Sequence, residues 1–370
     1  MIFWVVRLWV PIWAFDVRPF LDLTSSHHRL PWVDDRVCLS GARLHYGAFC
    51  STNNMSPLHV VLAGGSGFLG RALARDLVRD GHKVTILTRA PRSSSDSSEV
   101  LWDGRTLGPW CGALDGASAL VNLAGKNVNC RYTPENRREI NESRVASVEV
   151  LAKAVGQCKQ PPPVWVQCGS LAIYGDAGES WCDDASPPGN GFPVETCRLW
   201  ESAFDAVELP ATRRVLLRIG FALSPGGGAL ETLARLTRWC LGGTIGHGTQ
   251  YVSWLHLADL QRMFSWAIAR EEITGVYNAC APHPVTNRVL MSELRRVLQR
   301  PWSPPAPEWA VKIGSWLLRT EASLALTGRR CQPRRLLEHG FEFQFPELRP
   351  ALENLFRFTP PPPRRRRTIL

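Results

Sequence analysis

From position 58 the chain alternates between two kinds of apolar patterning. LHVVLAG is a short unbroken apolar run that ends in glycine, and KVTILTR, EVLWD, ALVNLAG, PPPVWVQCGS and RRVLLRIGFAL repeat the type. Runs of this length, bounded by glycine, proline or polar residues, fit strands buried on both faces of a parallel sheet. Between the first two, FLGRALARDLVRDG places apolar residues at 69, 73 and 77 and ends at Gly81, as an amphipathic helix with a glycine stop does. Residues 134–158 open with proline at a first helical turn and continue as a long helix, and PGGGALETLARLTRWC reads as a glycine-led helix. This alternation predicts an α/β fold: a doubly wound parallel sheet with crossover helices on both faces, over residues 58–287. From about Arg288 the register changes. RVLMSELRRVLQR is helical, a Pro- and Trp-rich segment follows, and two helical stretches end in LRPALENLF. Residues 288–357 are therefore expected to form a small, mainly helical C-terminal region on the substrate side.

The two ends fall outside this pattern. MIFWVVRLWVPIWAF is apolar and Trp-rich, is interrupted by Arg7 and Pro11, and makes a poor signal peptide because no small-residue cleavage site follows it. Met55 opens MSPLHVVLAGGSGFLG, so residues 1–57 are expected to be a non-native or disordered extension, with the biological start at Met55. Residues 358–370, a Pro/Arg tail, are expected to be disordered.

Composition narrows the function. Hydrophobic residues make up 45% and charged residues 21%, as in a soluble globular protein, and no run approaches the ~18–20 apolar residues of a membrane span. The net charge of +10 includes Arg364 to Arg367 in the terminal tail, and the other basic residues are spread along the chain. Neither a nucleic-acid nor a membrane partner is expected. Eleven cysteines without a CxxC pair or a His/Cys ligand spacing argue for reduced thiols in the cytoplasm and for no metal.

Gly64, Gly67 and Gly70 form GxxGxxG between the first strand and the first helix. The first glycine allows the tight turn, the second lets backbone N–H groups approach a diphosphate, and the third lets helix pack on strand. With Phe68 and Leu69 they are the expected dinucleotide cradle of a Rossmann-type domain. Where an NAD-selective site would end its second strand in Asp or Glu, this chain has Thr88 and Arg89, with Arg92 beyond. A guanidinium pairs bidentately with a 2′-phosphate, so NADP (NADPH) is the expected cofactor and NAD the less favoured one. Asn122, Ala124 and Gly125 of NLAG, at the end of the fourth strand, are the expected backing for the riboses.

GGSGFLG, VNLAG, SLAIYGD, SWLHLADL and LALTGRRCQPRRLLEHGFEF together resemble the atypical, epimerase-like branch of the extended short-chain dehydrogenases/reductases, over roughly residues 58–357. That branch carries a C-terminal domain of unknown function. The resemblance implies an NADP(H)-binding Rossmann domain in a sugar-nucleotide epimerase or oxidoreductase. Catalytic members place a Ser/Thr four residues before the Tyr of a YG pair, then a YxxxK pair opening the next helix. In them the Tyr exchanges the proton, the Lys lowers its pKa and holds the nicotinamide ribose, and the Ser orients substrate. Here the Ser is Ser170, with Tyr174-Gly175 behind it. The dyad positions hold Phe192 and Thr196, or Pro193 and Cys197, and no lysine lies between Lys159 and Lys312.

Two readings follow. In one, an oxidoreductase acts on a small molecule, a sugar nucleotide or another carbonyl or hydroxyl compound, with a different proton relay. Tyr174 is its first substitute acid, His256 its second, and Arg198 a source of the missing positive charge. Asp183 and Asp184 are either acids near a substrate or loop caps, and the glycine-rich stretch 242–250 either closes over a ligand or is a plain surface loop. In the other reading the protein holds NADP(H) as a non-catalytic sensor or scaffold.

Overall fold

A computed structural model describes residues 57–92, 97–300, 302–317 and 319–357. Both expected extensions, the proposed start at Met55 included, lie outside the described residues. Strand β1 (His59–Ala63) leads through helix α1 (Phe68–Arg79) to β2 (Lys83–Thr88) and β3 (Ser98–Leu101). Then come β4 (Ala119–Asn122), α2 (Pro134–Gly156), β5 (Val164–Ser170), the short β6 (Trp181–Cys182), α3 (Phe192–Asp205) and β7 (Arg213–Ile219). The substrate side adds β8 (Phe221–Leu223), α4 (Gly228–Arg238), β9 (Tyr251–Val252), β10 (Trp254–His256), α5 (Leu257–Ala269), β11 (Gly275–Ala279) and β12 (Val285–Thr286). The chain then runs through α6 (Asn287–Val297), α7 (Glu308–Leu317), α8 (Ser323–Leu326), β13 (Arg330–Cys331), α9 (Arg334–Glu338) and α10 (Leu348–Arg357).

Seven strands form one sheet in the order β11-β7-β5-β4-β1-β2-β3, and every pairing in it is parallel. The expected doubly wound α/β fold is thus present. The chain winds outward from β1 to β3, returns to the middle at β4, and winds the other way to β11. That reversal opens a crevice beyond the C-terminal ends of β1 and β4, where doubly wound sheets bind ligands. Val60, Val61, Leu62, Leu120, Val121, Trp165 and Val166 are fully buried because helices cover both faces of the sheet. This is why the strands read as unbroken apolar runs.

Helix α2 starts where expected: Thr133 accepts a hydrogen bond from the Asn136 N–H, and Pro134 fills a first-turn position where no N–H is needed. Strand β11 was not foreseen. Its run, GVYNA, is short and is broken by a glycine and Asn278, but it extends the sheet edge by pairing with β7 from Gly275 to Ala279. The C-terminal region also departs from a purely helical appendage. Its β13 pairs with β6 in the loop after β5. Leu290, Leu294, Leu348 and Leu352 from α6 and α10 share a second core with Leu230 of α4 and Trp254 of β10.

Helix α1 approaches the sheet closely because Gly70 lacks a side chain: a methyl group there would lie 2.4 Å from both Cα and O of Gly65. Backbone on backbone leaves no flexible atom to yield. Gly70→Ala is therefore expected to lower stability by about 1–3 kcal/mol. Urea unfolding checks this, and an unchanged midpoint would contradict the packing.

Candidate dinucleotide and substrate site

The crevice is built from two loops that touch through backbone. Gly64, at φ +71°, turns the chain after β1, and a methyl group there would stand 2.7 Å from Ala124 Cα in the loop after β4. Gly65 is constrained too, since a Cβ would meet Leu62 Cβ at 2.7 Å. The glycine triplet alone did not mark this position.

Gly67 differs from these. It is the N-cap of α1 with ordinary extended backbone, makes no side-chain cap, and has nothing closer than Gly64 O at 3.9 Å where a Cβ would point. The first turn carries no acidic residue. Open space over uncapped N–H groups at the positive end of a helix suits a diphosphate. The Phe68 ring turns away and packs against the loop before α4, where a Cβ on Gly227 would come within 2.4 Å of it. Only the backbone of Phe68 faces the cradle.

Beyond β2, Arg89 is exposed and pairs with no acidic group among the described residues. The nearby carboxylates are occupied. Glu99 accepts from the Arg92 N–H at 2.8 Å and faces Arg71 at 3.6 Å, and Asp103 takes the Arg105 and Thr106 N–H groups and the Thr106 hydroxyl.

Asn122 serves the other loop from beneath. It is fully buried, its amide donates to Gln167 Oε1 at 3.0 Å and Ser147 Oγ at 3.3 Å, and its Oδ1 accepts from Ala124 N–H at 3.0 Å. Its side chain therefore shapes the loop that carries Ala124 and Gly125.

Against Gly125 lies Arg144 of α2, its guanidinium carbon 3.2 Å from where a Cβ would be. Arg144 donates to the Lys126 and Ile140 carbonyls and lies over the Trp200 ring at 5.1 Å. Among the described residues it has no carboxylate within ion-pair distance, and burial pulls its pKa below the usual arginine value. A cation at this point was not foreseen. The signal was present: Arg144 sits four residues after Ile140 and four before Val148, inside the buried stripe of α2.

At the end of β5, Ser170 is half-buried and its Oγ accepts from Ala172 N–H at 3.2 Å, which leaves the hydroxyl proton to point elsewhere. Phe192, Pro193, Thr196 and Cys197, the candidates for the two dyad registers, all lie on α3. The Thr196 hydroxyl donates to Asn141 Oδ1 at 2.7 Å, while the half-buried Tyr132 ring packs edge-on to Phe192 at 4.8 Å. Burial pushes the Tyr132 phenol up to about 12, and that of the Cys197 thiol to about 12 as well. Cys197 is thus a neutral thiol against the Ser170 carbonyl at 3.9 Å.

The substitute acids expected from sequence lie elsewhere. Tyr174 is buried, and its hydroxyl is held among Asp183 O at 2.7 Å, Asn278 Oδ1 at 2.8 Å and the Arg218 guanidinium at 2.8 Å. Arg218 is itself bidentate to Glu201. With its hydroxyl fully engaged and its pKa raised by burial, Tyr174 is a structural tie and no proton donor to the crevice. His256 is 5% exposed, stacks on Phe345 at 3.9 Å, and caps α5 by accepting from Ala258 N–H through Nδ1. Arg198 is exposed on the outer face of α3. Asp183 and Asp184 act as clamps. Asp183 holds Ser186 and Arg334, its pKa lowered first by the Ser186 hydrogen bond, and Asp184 accepts from the Asn278 and Arg335 N–H groups.

Residues 60–280 match the NAD dependent epimerase/dehydratase family, and residues 306–355 match a domain of unknown function, DUF1731. The chain is 33% identical over 304 residues to the human epimerase family protein SDR39U1, covering 80% of this chain and 99% of that protein. An Arabidopsis thaliana chloroplastic homolog of SDR39U1 is 31% identical over 319 residues, or 83% of this chain and 89% of its own. A crystal structure of the human protein (isoform 2) with NADPH matches at TM-score 0.74 and 32% identity, over 82% of this chain and 100% of that one. A nucleoside-diphosphate sugar epimerase from Corynebacterium glutamicum matches at TM-score 0.66 and 30% identity, over 81% of this chain and 58% of that one.

Two measurements separate the roles of these residues. Gly67→Asp adds a good N-cap in open space, so its thermal midpoint should hold or rise while its carboxylate repels a diphosphate and dinucleotide binding falls at least ~100-fold. A fluorescence titration beside a melting curve checks both, and retained binding would move the cradle elsewhere. For His256, burial lowers the pKa from 6.5 to about 4; Nε2 is buried near Asn354 without a directed hydrogen bond. The unfolded chain takes up a proton that the folded one resists, so this contribution is complete above 6.5 and lost as pH falls toward 4. The loss amounts to about 3 kcal/mol. Urea midpoints from pH 7 to 4.5 should fall in the wild type and fall less in His256→Asn, which keeps a capping side chain.

Proposed function

The chain belongs to the NAD dependent epimerase/dehydratase family, and from that premise we propose that it is an NADP(H)-dependent, epimerase-type oxidoreductase acting on a small carbonyl or hydroxyl compound. The observation that carries this reading is the open, uncapped helix start at Gly67, with the exposed Arg89, which has no acidic partner among the described residues, beyond β2 where an NAD-selective site would hold an acid. The NADPH in the human relative's structure supports the same cofactor. Backbone N–H groups of Gly67, Phe68 and Leu69 hold the diphosphate, Arg89 meets the 2′-phosphate, and Ala124 and Gly125 back the ribose. When bound, the dinucleotide supplies or accepts hydride.

This chain's own residues do the rest. Ser170 orients the substrate oxygen with its free hydroxyl proton. Arg144 supplies a fixed positive charge under the ribose-backing loop, where the relatives' lysine charge is missing. Losing the Tyr-Lys relay costs a contribution ordinarily worth ~10²–10⁴ in rate, so turnover should be slow. The absence of a Tyr-Lys pair in either register, Phe192 with Thr196 or Pro193 with Cys197, also favours a second reading, a non-catalytic NADP(H) sensor or scaffold. Nine described cysteines, all unpaired, support a reducing compartment such as the cytoplasm. Among the described residues no helix is long and apolar enough to cross a membrane.

Tryptophan-fluorescence titration should show NADPH binding ~10–100-fold more tightly than NADH, the worth of a charge-assisted hydrogen-bonded pair. Arg89→Ala should abolish the difference, and equal affinities in the wild type would contradict the assignment. A broad panel of carbonyl substrates then separates the two readings. Oxidation of NADPH that Ser170→Ala slows supports the enzyme, and tight binding with no turnover supports the sensor.

A further inference from the structure

The loop after β5 and the C-terminal region meet in a two-residue parallel ladder, β6 with β13, in which Cys182 and Cys331 are direct partners. Residues facing each other on adjacent strands stand ~4.7–4.9 Å apart, inside the ~4.4–6.8 Å that a disulfide spans. Both are unbonded cysteines, and the Cys182 thiol lies 3.9 Å from the Ser180 carbonyl. The ladder is held in register from both sides. Ala177 N–H donates to Gly328 O at 3.0 Å, Gln332 N–H donates to Cys182 O at 2.9 Å, and Cys331 N–H donates to Ser253 Oγ at 2.9 Å.

The surroundings lower the pKa of Cys182 and raise that of Cys331, so the first is the candidate thiolate and the second stays a neutral thiol. Arg329 precedes the strand, its buried Nε has no hydrogen-bond partner, and its charge reaches both sulfurs. It forms no ion pair within 4 Å among the described residues. Cys182 is 6% exposed and Cys331 is fully buried, so an incoming reagent meets Cys182 first. The contact with the Cys331 thiol and the Arg329 charge both lower the Cys182 pKa. A cysteine of lowered pKa near a cation, with a second thiol at the facing ladder position, is the arrangement of a reactive cysteine with its resolving partner.

We propose that Cys182 and Cys331 form a redox latch, in which a peroxide-class oxidant joins the facing thiols and fixes the C-terminal region to the loop that follows Ser170 and Tyr174. Cys182 sulfur attacks a peroxide oxygen, the O–O bond breaks, and the departing oxygen leaves as water with the proton lost from Cys182. Cys182 is then a sulfenic acid. Cys331 sulfur attacks it, the S–S bond forms, the S–O bond breaks, and hydroxide leaves as a second water with the Cys331 proton. Two thiols have lost two electrons and two protons, and hydrogen peroxide has become two waters. A dithiol reductant reverses the bond by exchange. The latch does not depend on the cofactor assignment, since neither thiol belongs to the cradle.

The test treats the folded, full-length chain with hydrogen peroxide in a Cys240→Ser background, which removes an exposed competing thiol. Non-reducing peptide mass spectrometry should find a Cys182–Cys331 link that dithiothreitol removes and that Cys182→Ser prevents. Hydrogen exchange of residues 176–184 and 328–332 should slow at least several-fold on oxidation, and not in Cys182→Ser. Because Cys331→Ser stands to disturb the core, the same exchange measurement without oxidant confirms that each variant is folded. Peroxide that oxidises other cysteines, or carries Cys182 on to the sulfinic acid, without forming this link in folded protein would overturn the proposal.

Discussion

The site depends on backbone packing against backbone where side chains would normally intervene. Gly70 brings α1 onto Gly65, and Gly64 brings the β1 loop onto Ala124, each at distances that exclude a methyl group. These approaches place the start of α1 directly above the point where the sheet reverses its winding. The positive end of a helix, its first N–H groups uncapped, then faces a crevice backed by small residues. Gly67 is the one glycine of the set with open space in front of it, while its neighbours' missing side chains serve the packing.

A second constraint organises the substrate side, and it is electrostatic. Arg218 on β7 and Glu201 on α3 form a mostly buried bidentate pair, which costs desolvation and is held only because its geometry is complete. Tyr174 and Asn278 extend it to the loop after β5 and to β11. Asp259, fully buried, does the equivalent for the C-terminal region: it accepts from the Gln344 and Phe345 N–H groups at 2.8 and 2.9 Å, and burial raises its pKa despite them. Polar side chains thus fix the C-terminal region on the sheet domain, with the β6–β13 ladder between them.

The sheet and the glycine turn after β1 were legible because their causes are local. An unbroken apolar run reports burial on both faces, and a glycine between strand and helix reports a turn. The catalytic surroundings were less so, because their causes act across long separations. SLAIYGD makes Tyr174 look like an acid next to the substrate, but its hydroxyl is consumed by Asn278, 104 positions away. His256 resembles a titrating group until the stacked Phe345 shows it walled into the core. Arg144 escaped notice as one arginine among many, and its environment becomes special only when Gly125 and Trp200 close around it. Strand β11, short and broken by Asn278, does not announce itself, and it is completed by pairing on the edge of β7.

The central claim is that the α1 N-terminus and Arg89 together hold a 2′-phosphorylated dinucleotide. A crystal structure of the protein grown with NADPH tests it most directly. The diphosphate should lie on the N–H groups of Gly67 to Leu69, with the 2′-phosphate against the Arg89 guanidinium. Saturating NADPH that leaves this crevice vacant, or binds with its 2′-phosphate turned away from Arg89, would contradict the account.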